Sequence, residues 1–193
     1  MLRDVLCHHR MRARAQWRPQ KAPADPAPEG FAAETFDRVL LDGPCTGLGQ
    51  RPRLLVAQAL KQLEAAAHYQ RLLMREAAHL LTVGGEMVYS TCTLSPMENE
   101  GNVAWLLGRY PQMQLVAHAP RLGGPGLEGT VTVPRAGGGT REEARLSGEG
   151  AALVQRCGPD AGSDTISFFV AKLRKTASIP VDDFERAVPR VAA

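Results

Sequence analysis

Long apolar runs, paired cysteines and internal repeats are all absent from this 193-residue sequence, and each absence removes a class of protein. No apolar stretch approaches the roughly 18 residues that a membrane-spanning helix needs, so no membrane partner is expected. The opening stretch from Met1 to Arg10 is too short and too charged for a secretory signal core, which points to an intracellular protein, cytoplasmic or nuclear. Four cysteines, at positions 7, 45, 92 and 157, make no CxxC pair and are too sparse for a disulfide framework. Reduced thiols are expected, and a thiol redox protein is disfavoured. Cys7-His8-His9 has no second ligand pair at a suitable spacing, so no metal site is expected.

What is present suits one ordinary core. Hydrophobic residues make up 44% and charged residues 22%, enough for a globular domain and not a composition that forces disorder. The net charge of +3 is mildly basic, and Arg3, Arg10, Arg12, Arg14, Arg18 and Lys21 gather early in the chain. A solvated tail accounts for that cluster; a phosphate-binding arm is the sharper alternative. Residues 1–35 read as a basic, Pro/Ala-rich tail or linker, 36–175 as a domain, and 176–193 as a second tail.

Within the domain, Phe36 to Asp42 is a short apolar run closed by Gly43-Pro44, the pattern of a strand covered on both faces. Leu55, Ala59, Leu63, Ala66, Leu72, Leu73, Ala77, Leu80 and Leu81 recur at helical spacing, predicting one or two helices over about 53–82. Gly84-Gly85 is expected to cap the last of them, before a strand over Glu86 to Thr91. Ser95-Pro96-Met97-Glu98 carries the signals of a helix start, with Ser95 as cap and the helix running to about Gly108. Strands are expected at Gln112–Val116 and Thr165–Leu173, separated by a long Gly-rich loop over about 121–162 with at most one short helix.

Strand, helix, strand is a βαβ unit, whose two strands lie in one sheet and point the same way, and open α/β sheets bind ligands beyond the carboxyl ends of their strands. Asp42-Gly43-Pro44-Cys45 follows the first strand and Ser90-Thr91-Cys92-Thr93 the second, so two thiols and a carboxylate should converge. A lone free cysteine is most often a small buried hydrophobe. Two at equivalent strand ends, each in a polar loop, favour catalysis instead. Only about 3% of an ordinary cysteine is thiolate at neutral pH, so a nucleophile needs activation. Cys92 stands three residues before the expected Ser95 cap, where free amides would help and Glu98 and Glu100 would oppose.

Asp42-Gly43-Pro44-Cys45-Thr46-Gly47, then Tyr89-Ser90-Thr91-Cys92-Thr93-Leu94 with Glu98-Asn99-Glu100, resembles the Sun-domain (Nop/Sun) family of RNA cytosine-5 methyltransferases. Asp164 to Lys172 resembles the family's last strand, with Ser167 where Gly is usual, and Gly47-Leu48-Gly49-Gln50-Arg51-Pro52 resembles its tRNA-modifying, PUA-containing branch. The resemblance covers residues 36–118 and 163–173. It implies an α/β fold, the C-terminal half of a Rossmann-like class I methyltransferase sheet. It further implies S-adenosylmethionine as cofactor, RNA of the tRNA class as partner, and a covalent bond from Cys92 to C6 of the target cytosine. Cys45 would assist loss of the C5 proton and release of the product. Asp42 would lie between substrate and cofactor, and Glu98, Asn99 and Glu100 would be helix-start and solvent-face residues.

The family's first strands and Gly-rich cofactor loop have no counterpart upstream of Phe36, where neither Gly-x-Gly nor Pro-Gly-Gly-Lys occurs. The expectation is an apolar edge at Val39-Leu40-Leu41, a chain prone to aggregate and weak in cofactor binding. The alternative to an enzyme is a catalytically inactive fragment that binds RNA or a partner.

Overall fold

The computed structural model describes residues 30–51, 60–134, 138–158 and 165–180. The early basic cluster, Cys7-His8-His9, most of the Pro/Ala-rich linker, the part of the expected helix over 53–59, Asp164, the stretch 159–162 and the tail beyond 180 lie outside them.

Two strands and one helix build the expected crossover. Strand β1 (Phe36–Asp42) leads to helix α1 (Leu60–Leu80), a run dominated by the good helix formers Leu, Ala, Glu, Gln and Met. Ala67, Gln70, Met74, Ala77 and Ala78, three or four residues apart, form its buried face. Strand β2 (Leu81–Thr91) then returns parallel to β1, pairing Val39 with Met87 and Asp42 with Ser90. Met74, Ala78, Leu81, Met87 and Tyr89 meet in the core.

The helix does not end on Gly84-Gly85, which lie inside β2. It ends at Leu80, where Lys175 Nζ donates to the carbonyls of Ala78 (3.1 Å) and Leu81 (2.8 Å), and the Glu34 amide donates to His79 (2.9 Å). A buried ammonium at the negative end of the helix does the work expected of a glycine cap. Gly84, at φ +85°, instead serves the irregular step where the β1–β2 register shifts between Phe36 and Arg38.

Beyond Thr91 the chain turns through 96–99 into helix α2 (Glu100–Arg109), with Val103 and Leu106 buried. The start is four residues later than Ser95 implies: Asn99 is the N-cap residue and makes no side-chain cap bond. Strand β3 (Met113–Leu115) follows.

The Gly-rich segment is not one long loop. Strands β4 (Thr130–Pro134) and β5 (Thr140–Ala144) form an antiparallel hairpin, then come helix α3 (Gly148–Leu153), capped by Ser147, and strand β6 (Gln155–Cys157). Alternating Thr130-Val131-Thr132-Val133 is the β-pattern that the surrounding glycines obscured. Ion pairs from Arg141 to Glu64 (3.2 Å) and Glu143 to Arg71 (3.7 Å) join the hairpin to α1. Strand β7 (Phe168–Lys175) completes a five-stranded mixed sheet in the order β1-β2-β7-β3, with β6 also on β7 and β7 antiparallel to its neighbours. Ile179, within the expected second tail, packs into the core.

Strand β1 is an edge of this sheet among the described residues, and it is covered on one face only. Val39 and Leu41 are buried while Leu40 is 46% exposed. Glu86 lies on the open face and pairs with Arg38, Lys172 and Arg174, each at 2.8–2.9 Å.

Candidate active site

The carboxyl ends of β1 and β2 place the sequence-selected residues together. Asp42 and Ser90 are register partners, and Ser90 Oγ donates to Asp42 Oδ1 at 2.8 Å, leaving the carboxylate exposed to solvent. Three residues beyond Asp42 and two beyond Ser90, Cys45 Sγ and Cys92 Sγ stand 3.3 Å apart as free thiols, each half-buried. Burial, followed by the hydrogen bond with Cys92, pushes the Cys45 thiol up to about 11. Cys45 is therefore a protonated thiol at neutral pH, and its conjugate base, once formed, is a strong one.

A buried carboxylate holds the two cysteine loops in register. Glu98 Oε2 accepts from the Thr46 amide (2.9 Å) and from Gln70 Nε2 (3.0 Å), and Oε1 accepts from the Thr46 hydroxyl (2.6 Å). Thr46 and Thr93, the residues after the two cysteines, also meet through their hydroxyls at 2.9 Å. Gln70 donates to the Pro44 carbonyl (2.9 Å), so α1 grips the first loop directly. The Tyr89 phenol, kept protonated by burial, lies 2.5 Å from the Glu98 carbonyl, and Asn102 Nδ2 donates to Gln70 Oε1 at 2.8 Å.

Glu98, Asn99 and Glu100 are thus not solvent-face residues. Each is fully buried, at 0% exposure. Asn99 accepts from Thr91 Oγ1 (2.5 Å) and donates to the Thr93 carbonyl (3.0 Å), spanning the Cys92 turn. Glu100 takes a two-pronged bond from Arg156, at 2.6 Å from Nε and 3.0 Å from an Nη, and one from the Leu127 amide at 2.9 Å. Buried carboxylates survive only when so paired. The signal in the sequence is three polar residues in a row at the junction of a strand and a helix, a place where polar side chains usually face water.

Gln50 was also missed as a site residue. Its Nε2 stands 3.3 Å from Cys92 Sγ. The loop that carries it is stitched on both sides: Gly49 N donates to the Cys92 carbonyl (3.0 Å), and Ser167 N donates to the Gly49 carbonyl (3.1 Å). The N-cap of α2 stands seven residues after Cys92 rather than three, so Gln50 and Cys45, and not the end of a helix, are the polar groups beside that sulfur.

The residues present match S-adenosylmethionine at one point. Asp42, exposed with one oxygen held by Ser90, suits a cationic sulfonium or ammonium end; the Gly-rich loop implied for the rest of the cofactor is not among the described residues. No three His, Cys, Asp or Glu side chains gather to hold a metal ion among them. No helix among them is long and apolar enough to cross a membrane. A shallow cavity of about 350 Å³, lined by Asp37, Arg38, Thr82 and Glu86, opens at the opposite ends of β1 and β2 and has no thiol in it.

The model of the family described as 16S rRNA methyltransferase RsmB/F matches residues 10–174. The rRNA (cytosine-C(5))-methyltransferase NOP2C of Arabidopsis thaliana is 45% identical over 145 residues, 75% of this chain and 24% of that protein. The tRNA (cytosine(72)-C(5))-methyltransferase NSUN6 of Mus musculus is 46% identical over 99 residues, 51% of this chain and 21% of that protein. Among solved structures, NSun6 from Pyrococcus horikoshii with SFG shares 40% identity at a TM-score of 0.57, over 72% of this chain and 30% of the other. The chain spans less than a quarter of the length of each of these two curated relatives.

Proposed function

Because this chain belongs to the 16S rRNA methyltransferase RsmB/F family, we propose that it carries the thiol pair of an enzyme methylating C5 of a cytosine in RNA. The observation that carries the reading is the 3.3 Å approach of Cys45 Sγ to Cys92 Sγ beside Asp42, from loops 47 residues apart in sequence.

Cytosine C5 is a poor nucleophile until C6 is attacked. The Cys92 thiolate bonds to C6, the C5–C6 double bond opens, and its electron pair becomes available at C5. S-adenosylmethionine supplies an electrophilic methyl group when bound, and Asp42 would hold its cationic end while accepting from the cytosine amino edge. SFG, present in the related structure, is an analogue of that cofactor. Cys45, after giving up its own proton to water, takes the C5 proton as thiolate; the double bond re-forms and the C6–S bond breaks, returning Cys92 as thiolate. The raised value at Cys45 keeps it from competing with Cys92 as nucleophile at neutral pH, and makes its thiolate, once formed, the stronger base.

The related proteins named above act on tRNA and on rRNA. The Gly47-Leu48-Gly49-Gln50-Arg51-Pro52 stretch supports tRNA for this chain, by its resemblance to the tRNA-modifying branch. RNA substituted with 5-azacytidine, offered as tRNA and as rRNA fragments, should form a covalent, denaturant-resistant complex with the chain. Cys92→Ala should abolish it, and Cys45→Ala should let adducts accumulate on unsubstituted RNA. A complex that survives Cys92→Ala rejects the proposal. The open edge of β1, with Leu40 exposed, supports a second reading, a partner- or RNA-binding piece without catalysis. Salt-sensitive RNA binding that ignores both Cys92→Ala and added cofactor would favour it.

A further inference from the structure

We propose that Gln50 is a positioning residue for Cys92, an N–H donor to its sulfur that favours the thiolate. This deepens the methyl-transfer reading and rests on it for its purpose, but not for its test.

Three observations support it. Gln50 Nε2 lies 3.3 Å from Cys92 Sγ, within the reach of a hydrogen bond to sulfur, and Cys45 Sγ lies at the same distance. Either sulfur can donate in the Cys45–Cys92 contact, whereas the Gln50 Nε2 amide can only donate to Cys92. Donors stabilise the anion and not the thiol. The thiol pair is symmetric in chemistry but not in surroundings, because the amide of Gln50 is recorded on one sulfur only.

The second observation is that the loop is built to place this side chain. Gly47, at φ +62°, turns the chain, and Gln50 N closes that turn on the Gly47 carbonyl at 3.1 Å. Gly49 fixes the turn against the Cys92 carbonyl on one side and Ser167 on the other. A Cβ at position 49 would meet Ser167 Cβ and its carbonyl oxygen at 2.5 Å and the Cys92 carbonyl at 2.9 Å, so only glycine allows the approach. Third, Arg51 Nη donates to the Thr165 carbonyl at 2.6 Å, anchoring the far side of Gln50 to the segment that precedes β7. Glycine, glutamine and arginine in succession therefore form one device: approach, donor and anchor. Gln50 is exposed, so changing it removes the donor without opening the core.

The test labels the full chain with iodoacetamide across pH and reads Cys92 and Cys45 separately by peptide mass spectrometry. Gln50→Met keeps length and loses the N–H; Gln50→Glu replaces the donor with an anion. The expected result is a Cys92 profile displaced to higher pH, with labelling at neutral pH slowed about two- to tenfold in Gln50→Met, the range of one neutral hydrogen bond. Gln50→Glu should be slower still, and in both variants the Cys92 to Cys45 labelling ratio should fall. Thermal melting should be unchanged, which separates loss of the donor from loss of the loop. Equal profiles in wild type and both variants would overturn the proposal, as would equal slowing at both cysteines. No RNA or cofactor enters this measurement, so failure of the azacytidine trap sinks the methyl-transfer reading and leaves the Gln50 result standing, and the reverse also holds.

Discussion

Glu98 accepts both the backbone amide and the side-chain hydroxyl of Thr46, at 2.9 and 2.6 Å, across 52 residues of sequence. One fully buried carboxylate thereby ties the residue after Cys45 to the turn after Cys92. Taking its charge out of water is costly, and the four donors that meet it, Thr46 twice, Gln70 and Thr93, offset that cost only while the two loops stay together.

Replacing Glu98 with Ala leaves those donors buried and unmatched, and should destabilise the chain by about 2–5 kcal/mol. Urea unfolding checks the magnitude, and a short bifunctional thiol-alkylating cross-linker checks the geometry. Its yield between Cys45 and Cys92 should fall well below wild type even where the variant is folded.

The raised Cys45 thiol has a pH signature. From its ordinary value near 9 it moves to about 11 in the fold, chiefly by burial. Between those values the unfolded chain has lost its proton while the folded chain keeps it. The unfolded state binds fewer protons, so stability falls as pH rises from about 9 through about 11 and is fully present below. Cys45→Ala should flatten that decline in a series of urea midpoints. A decline of equal steepness in the variant would assign it elsewhere.

Gly49→Ala should be disproportionately harmful for a surface loop. Its methyl group would press on the Ser167 carbonyl, and moving that backbone should cost about 1–3 kcal/mol. The paired change Gly49→Ala with Ser167→Gly relieves the Cβ contact but not the carbonyl contact, so calorimetric melting should recover only part of the loss.

Arg156→Met strands Glu100 with the Leu127 amide alone, and removing one partner of a buried pair typically costs about 3–5 kcal/mol. Adding Glu100→Gln should restore much of it, because no unpaired charge is then buried. A double variant no better than Arg156→Met would show that the packing of the arginine stem, and not its charge, matters.

Much of the fold was open to sequence reading. The β1 boundaries follow from Phe36 to Asp42 and the Gly43-Pro44 stop, and the periodicity of Leu63, Ala77 and Leu80 places α1, because strand and helix periods are local properties. The errors are equally physical. Gly84-Gly85 was expected to cap α1, a task done by Lys175 from the far end of the chain. The β4–β5 hairpin was hidden among glycines, and it is tied down by ion pairs to α1 that no local window contains.

By themselves the residues determined the chemistry on offer: two thiols and a carboxylate, each following a strand, with turn residues that stop the strands there. Tertiary structure alone decided their standing. It brought the sulfurs into contact, buried Glu98 and Glu100 instead of leaving them in water, and set Gln50 against Cys92. The reason is that a hydrogen bond across 42 to 56 residues exists only once sheet and helices are in place, whereas a turn or a strand end is written in its immediate neighbours.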